Sequence, residues 1–291
     1  ISTNSSGEPG STSSFYIRGI NTFGGVATPL ILLDGVEISS GDLNRIPAES
    51  IESFSVLKDA SATAIYGNRG ANGVMLVTTK HGKENTKATV NVSVEASYFQ
   101  PMNTLEFADG PTFMRTYNEA QQARSATAIT PRYSDEIIAA TESGINPYVY
   151  PNVDWYDELF KTATFNQRAN FNVRGGSKRI DYFMNVNVNH ETGMLKDRSK
   201  EFYSYGNNIN IMRYTFQNNL NLHINKDAKI SLNLGVELRD SKGPARKAND
   251  LFSTVMNNNP VDFPTYYPVG AFVGQEGVTS DYMKWGYTEN S

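Results

Sequence analysis

Five stretches of this chain alternate apolar and polar residues with a period of two, and no other feature narrows the possible folds as much. In 89–99, Val90, Val92, Val94, Ala96 and Tyr98 share one side, opposite Asn91, Ser93, Glu95 and Ser97. In 165–174, Phe165, Ala169, Phe171 and Val173 oppose Asn166, Arg168, Asn170, Asn172 and Arg174. Residues 181–190, 214–225 and 229–239 repeat the scheme, with Val186, Leu220 and Leu234 on the apolar side and Asn185, Asn219 and Asn233 on the polar side. Side chains of a β-strand point alternately to its two faces, so each stretch predicts a strand with one apolar face and one asparagine-rich face.

A soluble β-sandwich shows the same alternation, with its polar face in bulk water. Two features favour a membrane barrel instead. The strands run about ten residues or more, against about five or six for soluble strands. The connections also alternate: tight turns at Gly175–Arg179 and Asn225–Ala228, long loops at roughly 100–163, 191–212 and from 240 onward. Short turns on one side and long loops on the other are the pattern of outer-membrane barrels, with turns periplasmic and loops extracellular. The longest loops carry helices of their own, expected over Thr112–Ala126, Ser134–Glu142 and 245–257. Five strands do not close a barrel, since small barrels need about eight and plugged transporters have about 22. The chain therefore reads as a piece of a larger protein, cut at both ends.

The first 84 residues have a different character. Phe15–Arg18 and Pro29–Leu33 are short strand candidates, and Asp34-Gly35 is a turn signal before Val36–Ile38. Pro47–Glu52 reads as a helical turn leading into strand Ser53–Leu57. An Ala-rich helix over 60–66, capped by Asp59, meets Gly67, Gly70 and Gly73 before strand Val74–Thr79. The unit is mixed α/β, built of short pieces.

Composition excludes several classes. With 26 Lys plus Arg against 30 Asp plus Glu, the net charge of −4 does not favour a nucleic-acid partner. The chain has no cysteine, so disulfides and cysteine zinc sites are excluded. No apolar run is long enough for a transmembrane helix, and residues 1–14 are Ser/Gly-rich and polar, unlike a signal peptide. Barrel strands escape such tests.

Particular motifs sharpen this reading. Ser14–Ile20, Pro29–Val36, the passage Ile51–Lys80 (IESFSVLKDASATAIYGNRGANGVMLVTTK), Asn152–Trp155 and the Gly175-Gly176-Ser177 turn follow one another in the order of a known family. Together they resemble the SusC-like (RagA-type) branch of TonB-dependent outer-membrane transporters. The resemblance implies a mixed α/β plug domain followed by part of an antiparallel transmembrane β-barrel, about five strands of a larger plugged barrel. It places the plug at 1–84 and the first barrel strands with long extracellular loops at 85–291. It implies import of oligosaccharides or peptides across the bacterial outer membrane. The expected partners are a SusD-like surface lipoprotein that lids the barrel, TonB with ExbB/ExbD, and outer-membrane lipid. No cofactor and no enzymatic activity are expected. A TonB-dependent siderophore or cobalamin receptor is the alternative, and a soluble binding or adhesion module is a third reading.

By the same resemblance, Arg18, Glu52 and Arg69 of the plug pair with charges on the barrel wall; the bland reading is three ordinary exposed charges. Tyr148, Tyr150, Trp155, Tyr156, Tyr203, Tyr205, Tyr266 and Tyr267 fall in the loops, where rings stack on sugars, dock a lid or pack the loop itself. Gly67–Gly73 is neither G-x-G-x-x-G nor a Walker sequence, so it fits a turn rather than a phosphate loop. His81, His190 and His223 lie at no ligand spacing, which predicts solvated or lumen-facing histidines and no metal site. Asp154, Asp157 and Glu158 have no fixed separation of the kind glycoside hydrolysis requires, so no catalytic residue is assigned.

Overall fold

A computed structural model describes residues 2–4, 9–10, 14–16, 28–59, 63–102, 105–197, 206–244, 246, 248–267 and 284–285. Arg18, Tyr203 and Tyr205 lie outside the described residues. The chain divides into two compact units. The first comprises Ile1–Gln100, Ala163–Met194 and Ser199–Gly243; the second comprises Pro101–Thr162, Leu195–Arg198 and Pro244–Ser291. The first unit thus holds both the α/β part and all five long strands, while the second collects the long connections.

The α/β part is built on a four-stranded sheet. After a small antiparallel pair, β1 (Ser2–Asn4) and β2 (Ser14–Tyr16), come β3 (Leu30–Leu33), β4 (Val36–Ile38), β5 (Ile51–Leu57) and β6 (Val74–Thr79), in the spatial order β4-β3-β6-β5. Strand β6 runs parallel to β3 and antiparallel to β5. The β3–β4 turn has positive φ at both Asp34 (48°) and Gly35 (86°), the backbone that suits tight hairpins. Strand β6 reads Val-Met-Leu-Val-Thr-Thr and is largely buried, as a central strand must be. Ile31, Leu43, Met75 and Val77 form the core, with Leu33, Ile38 and Val56 packed against it. Burial of each of the four core side chains contributes about 1.5–3 kcal/mol. Helix α1 (Ser40–Leu43) is held by a capping box in which Ser39 and Asp42 bond reciprocally. Those bonds from Ser39 hold the Asp42 carboxyl below the ordinary carboxylate range.

The Ala-rich helix is seen as a tight 3-10 run, Ala64–Gly70, and residues 60–62 lie outside the described set. Gly67 (φ 56°, ψ −143°) interrupts it, in a conformation β-carbon-bearing residues avoid. Gly70 is needed for another reason: a Cβ there would sit 2.8 Å from the Thr63 carbonyl oxygen.

The five long strands are β7 (Thr86–Phe99), β8 (Thr164–Gly176), β9 (Ile180–Thr192), β10 (Asn210–His223) and β11 (Lys229–Lys242), paired in chain order as one antiparallel meander. Each is 13 or 14 residues long. At about 3.3 Å per residue and a 35–45° tilt, such strands cover roughly 30–37 Å, more than the ~25 Å apolar band of an outer membrane. The turns are as tight as the sequence predicts. Ser177 N–H donates to Ile180 O at 2.6 Å, and the Asn225 side chain accepts from the N–H groups of Asp227 and Ala228.

Register converts the alternation into rows. Val92, Phe171, Val186, Phe216 and Val236 are successive cross-strand partners over all five strands. The adjacent row is Asn91, Asn172, Asn185 and Gln217, ending at Gly235. Burial is inverted relative to a soluble protein: Asn170, Asn172, Asn185, Asn187, Asn219 and Asn221 are buried, while Val92, Phe171, Val186 and Leu232 are exposed. Tyr98 and Phe165, near strand ends on the apolar face, meet edge to face at 5.2 Å. Among the described residues no helix is long and apolar enough to cross a membrane, which says nothing of strands.

In the second unit, α2 (Gly110–Ala123) is capped by Asp109, whose side chain accepts from Thr112 N–H. Helix α3 (Asp135–Ser143) is capped by Ser134 and stopped by left-handed Gly144. Helices α4 (Trp155–Leu159) and α5 (Ala248–Asn257) follow.

If the apolar rows face lipid, a charge at mid-strand is costly. Replacing Val186 by Arg in the full-length protein is expected to destabilise the membrane-inserted state by about 2–4 kcal/mol, read from urea unfolding in lipid vesicles. A loss below about 0.5 kcal/mol counts against a lipid-facing row.

Candidate functional site

The asparagine face of the long sheet meets the α/β part through polar bonds, although Phe183 and Ile211 on the same face are buried too. Ser50 sits just before β5 and is fully buried. Its hydroxyl accepts from Asn185 Nδ2 at 2.9 Å. Asn185 Oδ1 in turn accepts from Asn170 (2.8 Å), Asn170 from Asn172 (3.1 Å) and Asn172 from Asn91 (3.0 Å). A directional chain of amide hydrogen bonds therefore crosses three strands and ends on Ser50, and such chains polarise one another.

A second link lies beside it. Asn219 Nδ2 donates to Thr79 Oγ1 (2.9 Å) and to Lys80 O (2.8 Å). Thr79 Oγ1 donates onward to Asp34 Oδ2 at 2.5 Å, and Thr79 N–H donates to Asp34 Oδ1 at 2.8 Å. Lys80 N–H donates to Ser50 O at 2.8 Å, so both links converge on the same end of the β5–β6 pair. A cavity of about 540 Å³ remains beside them, lined by Asp34, Arg45, Thr215, Gln217, Asn233 and Glu237 among others.

Charged pairs flank the amides. Glu49 pairs with Arg168 on β8. Glu52 Oε2 lies 3.2 Å from Arg174 Nη1, and Arg174 Nε also donates to His81 O at 2.5 Å. Arg45 lies 3.9 Å from Glu237, which with Glu191 surrounds Arg213 at 3.8 Å. Glu191 also accepts from Gly10 N–H at 2.8 Å.

Of the expected charge contacts, Glu52 meets a wall arginine. Arg69 does not take the expected kind of partner: its ion pair is with Glu37 on β4. The strand order β4-β3-β6 brings Glu37 beside the turn that leads into β6. Arg18 lies outside the described residues. Sequence reasoning missed Glu49, Ser50, Thr79, Arg168 and Arg174 as contact residues. The one available signal was the asparagine face itself, which needed something to bond.

The loop aromatics are partly occupied with one another. Trp155 Nε1 donates to Asn259 O at 2.9 Å, and its ring lies 5.0 Å from Phe263. Tyr156 stacks at 4.9 Å on Phe160. Tyr148 and Tyr266 meet at 6.2 Å, and their hydrogen bond pushes the Tyr148 phenol above its ordinary value. This pair lines a small pocket of about 320 Å³ with Asn152, Asp154, Asp157 and Glu158. Tyr267 pairs with Lys284 through its backbone, and Tyr150 closes the turn begun by Asn146. Tyr203 and Tyr205 lie outside the described residues.

An inside-out sheet bonded to a small α/β body defines a class: a plugged outer-membrane β-barrel. Residues 1–74 match the family model of the TonB-dependent Receptor Plug Domain. TonB-dependent receptor P26 of Formosa agariphila is 33% identical over 214 residues, covering 72% of this chain and 20% of that protein. TonB-dependent receptor SusC of Bacteroides thetaiotaomicron is 25% identical, covering 98% of this chain and 26% of that protein. Among solved structures, the RagAB peptide importer in its closed-closed state superposes with a TM-score of 0.66 at 26% identity, over 84% of this chain and 28% of that one. The chain belongs to the TonB-dependent receptors of the outer membrane. Within them it is of the SusC-like, RagA-type branch, and it carries the plug with an unclosed set of barrel strands. It spans about a fifth to a quarter of the curated relatives it matches.

Two predictions test the interface in the full-length protein. Asn219→Ala removes the donor to the Lys80 carbonyl and to the Thr79 hydroxyl oxygen, so the plug is expected to loosen by about 1–3 kcal/mol, read as protease cleavage of the plug at lower urea. For Glu52 and Arg174, a double-mutant cycle with the glutamine variants is expected to give a coupling of about 1 kcal/mol that shrinks in high salt. Zero coupling at low salt shows the pair to be incidental.

Proposed function

We propose that the whole protein imports oligosaccharides or peptides across the outer membrane by TonB-driven movement of the plug, without covalent chemistry. Residues 1–84 act as the plug, and residues 85–291 supply the first barrel strands and the loops that face outward. The observation that carries this reading is the chemistry of the plug–wall contact. Its directional contacts join neutral amides, hydroxyls and half-buried ion pairs. Such bonds hold firmly while water is excluded, and each exchanges for a water bond when the plug is pulled. An apolar interface would instead expose its surface to water on every cycle, at about 25 cal/mol per Å².

A SusD-like lipoprotein is the proposed outer partner, and TonB the inner one. The RagAB relative is named a peptide importer, which supports peptide as one substrate class. The Tyr148–Tyr266 pocket, with its acidic rim, is the proposed contact for substrate or lid, together with Tyr150, Trp155, Tyr156 and Tyr267. Oligosaccharide and peptide uptake are separated by growth of the producing cell on each as sole nutrient, with and without the gene.

Plug movement is tested by tethering. Cysteines replacing Ser50 and Asn185, joined by a short bis-methanethiosulfonate in a full-length protein otherwise free of cysteine, are expected to stop uptake, and reductant to restore it. Uptake that continues through the closed tether rules out displacement of this part of the plug.

A further inference from the structure

Three side chains from three separate elements converge where the chain leaves the plug. Glu84 precedes β7, Asp181 opens β9 and His223 ends β10. His223 Nε2 is 2.7 Å from Asp181 Oδ2 and 3.3 Å from Glu84 Oε1. The three ligand-type atoms lie within 4.8 Å of one another. Asp181 is only 4% exposed, and its other oxygen accepts from Asn221 Nδ2 at 2.7 Å, which fixes the carboxylate. The exit segment is seated directly on β9, since a Cβ on Gly82 would run into the backbone of Asp181 and Tyr182.

Two carboxylates thus aim at one imidazole nitrogen. Nε2 carries at most one hydrogen, so a single donor faces two acceptors. A divalent cation in its place engages all three groups, and a neutral histidine with two carboxylates balances its charge. Ligands of tetrahedral zinc lie about 2.0–2.1 Å from the metal, hence about 3.3 Å apart. The Glu84–His223 separation already has that value, and Asp181 needs to open by about 0.6 Å. One imidazole and two carboxylates suit zinc better than calcium, which takes six to eight oxygens. Asn221 would be the outer-shell group that orients a ligand.

We propose that Glu84, Asp181 and His223 form a zinc-class site that clips the plug's exit segment to the barrel wall, with a fourth position left for water. The competing arrangement is a plain His–Asp pair neutralised by Lys229, the cross-strand partner of His223.

The test uses full-length transporter in detergent, stripped with chelator and titrated with Zn²⁺ against a chromogenic competitor. The wild type is expected to hold one more Zn²⁺ per chain than Glu84→Gln or His223→Gln, with a Kd at least about tenfold tighter than either variant. Glu84 is exposed, so its variant separates ligation from folding. Zn²⁺ is also expected to slow hydrogen exchange over residues 82–86 in the wild type alone. Equal stoichiometry and Kd in wild type and variants overturn the site. Exchange over 82–86 that ignores both chelator and Zn²⁺ overturns the clip.

Discussion

Asn185 and Asn219 reach out of the strand wall to Ser50, Thr79 and Lys80, three residues at one end of the β5–β6 pair. The rest of the architecture depends on this contact. The long strands need acceptors for a face of buried amides, because a buried polar group without a partner costs about as much as a lost hydrogen bond. The plug has a core of only a few residues, and it needs a surface to lie against. Each part supplies what the other lacks.

The choice of asparagine has a physical reason. An amide offers two donors and an acceptor without carrying a charge. It can therefore be buried and bonded on several sides without the desolvation penalty of an ion. It also passes the bond along: in the chain from Asn91 to Ser50, Asn172, Asn170 and Asn185 each accept on one side and donate on the other. The pairs Glu49–Arg168 and Glu52–Arg174 stay partly exposed, and there water shares the cost of the charges. The opposite face needs no such care. Val92, Phe171, Val186, Phe216 and Val236 form an unbroken apolar row, and lipid asks nothing more of it.

Much of this was legible beforehand, and the reason is locality. Alternation of side chains along a strand depends on neighbours two residues away, so the strands and their faces could be read from 89–99 or 165–174 alone. The turns at Ser177–Arg179 and Asn225–Ala228 are equally local. The break at Gly67 shows the limit of that reading. Ala-rich composition predicts a regular helix, whereas the positive φ of that glycine and the close approach of Gly70 to Thr63 make a tighter, interrupted run. Partner identity was not legible: Glu52 and Arg174 are 122 positions apart, and Asn219 and Thr79 are 140 apart. Arg69 illustrates the same gap, since only the strand order reveals that Glu37 stands beside it.

The sequence by itself determined the inverted strands, their length, their tight turns and the family wording of Ile51–Lys80, because each is written in residues close together along the chain. Tertiary structure alone decided which polar groups meet: the amide relay onto Ser50, the two hydrogen bonds from Asn219 to Thr79 and Lys80, and the convergence of Glu84, Asp181 and His223. Those meetings depend on register and on the packing of one sheet against another. Register sums the geometry of whole strands, so no local run of residues encodes it.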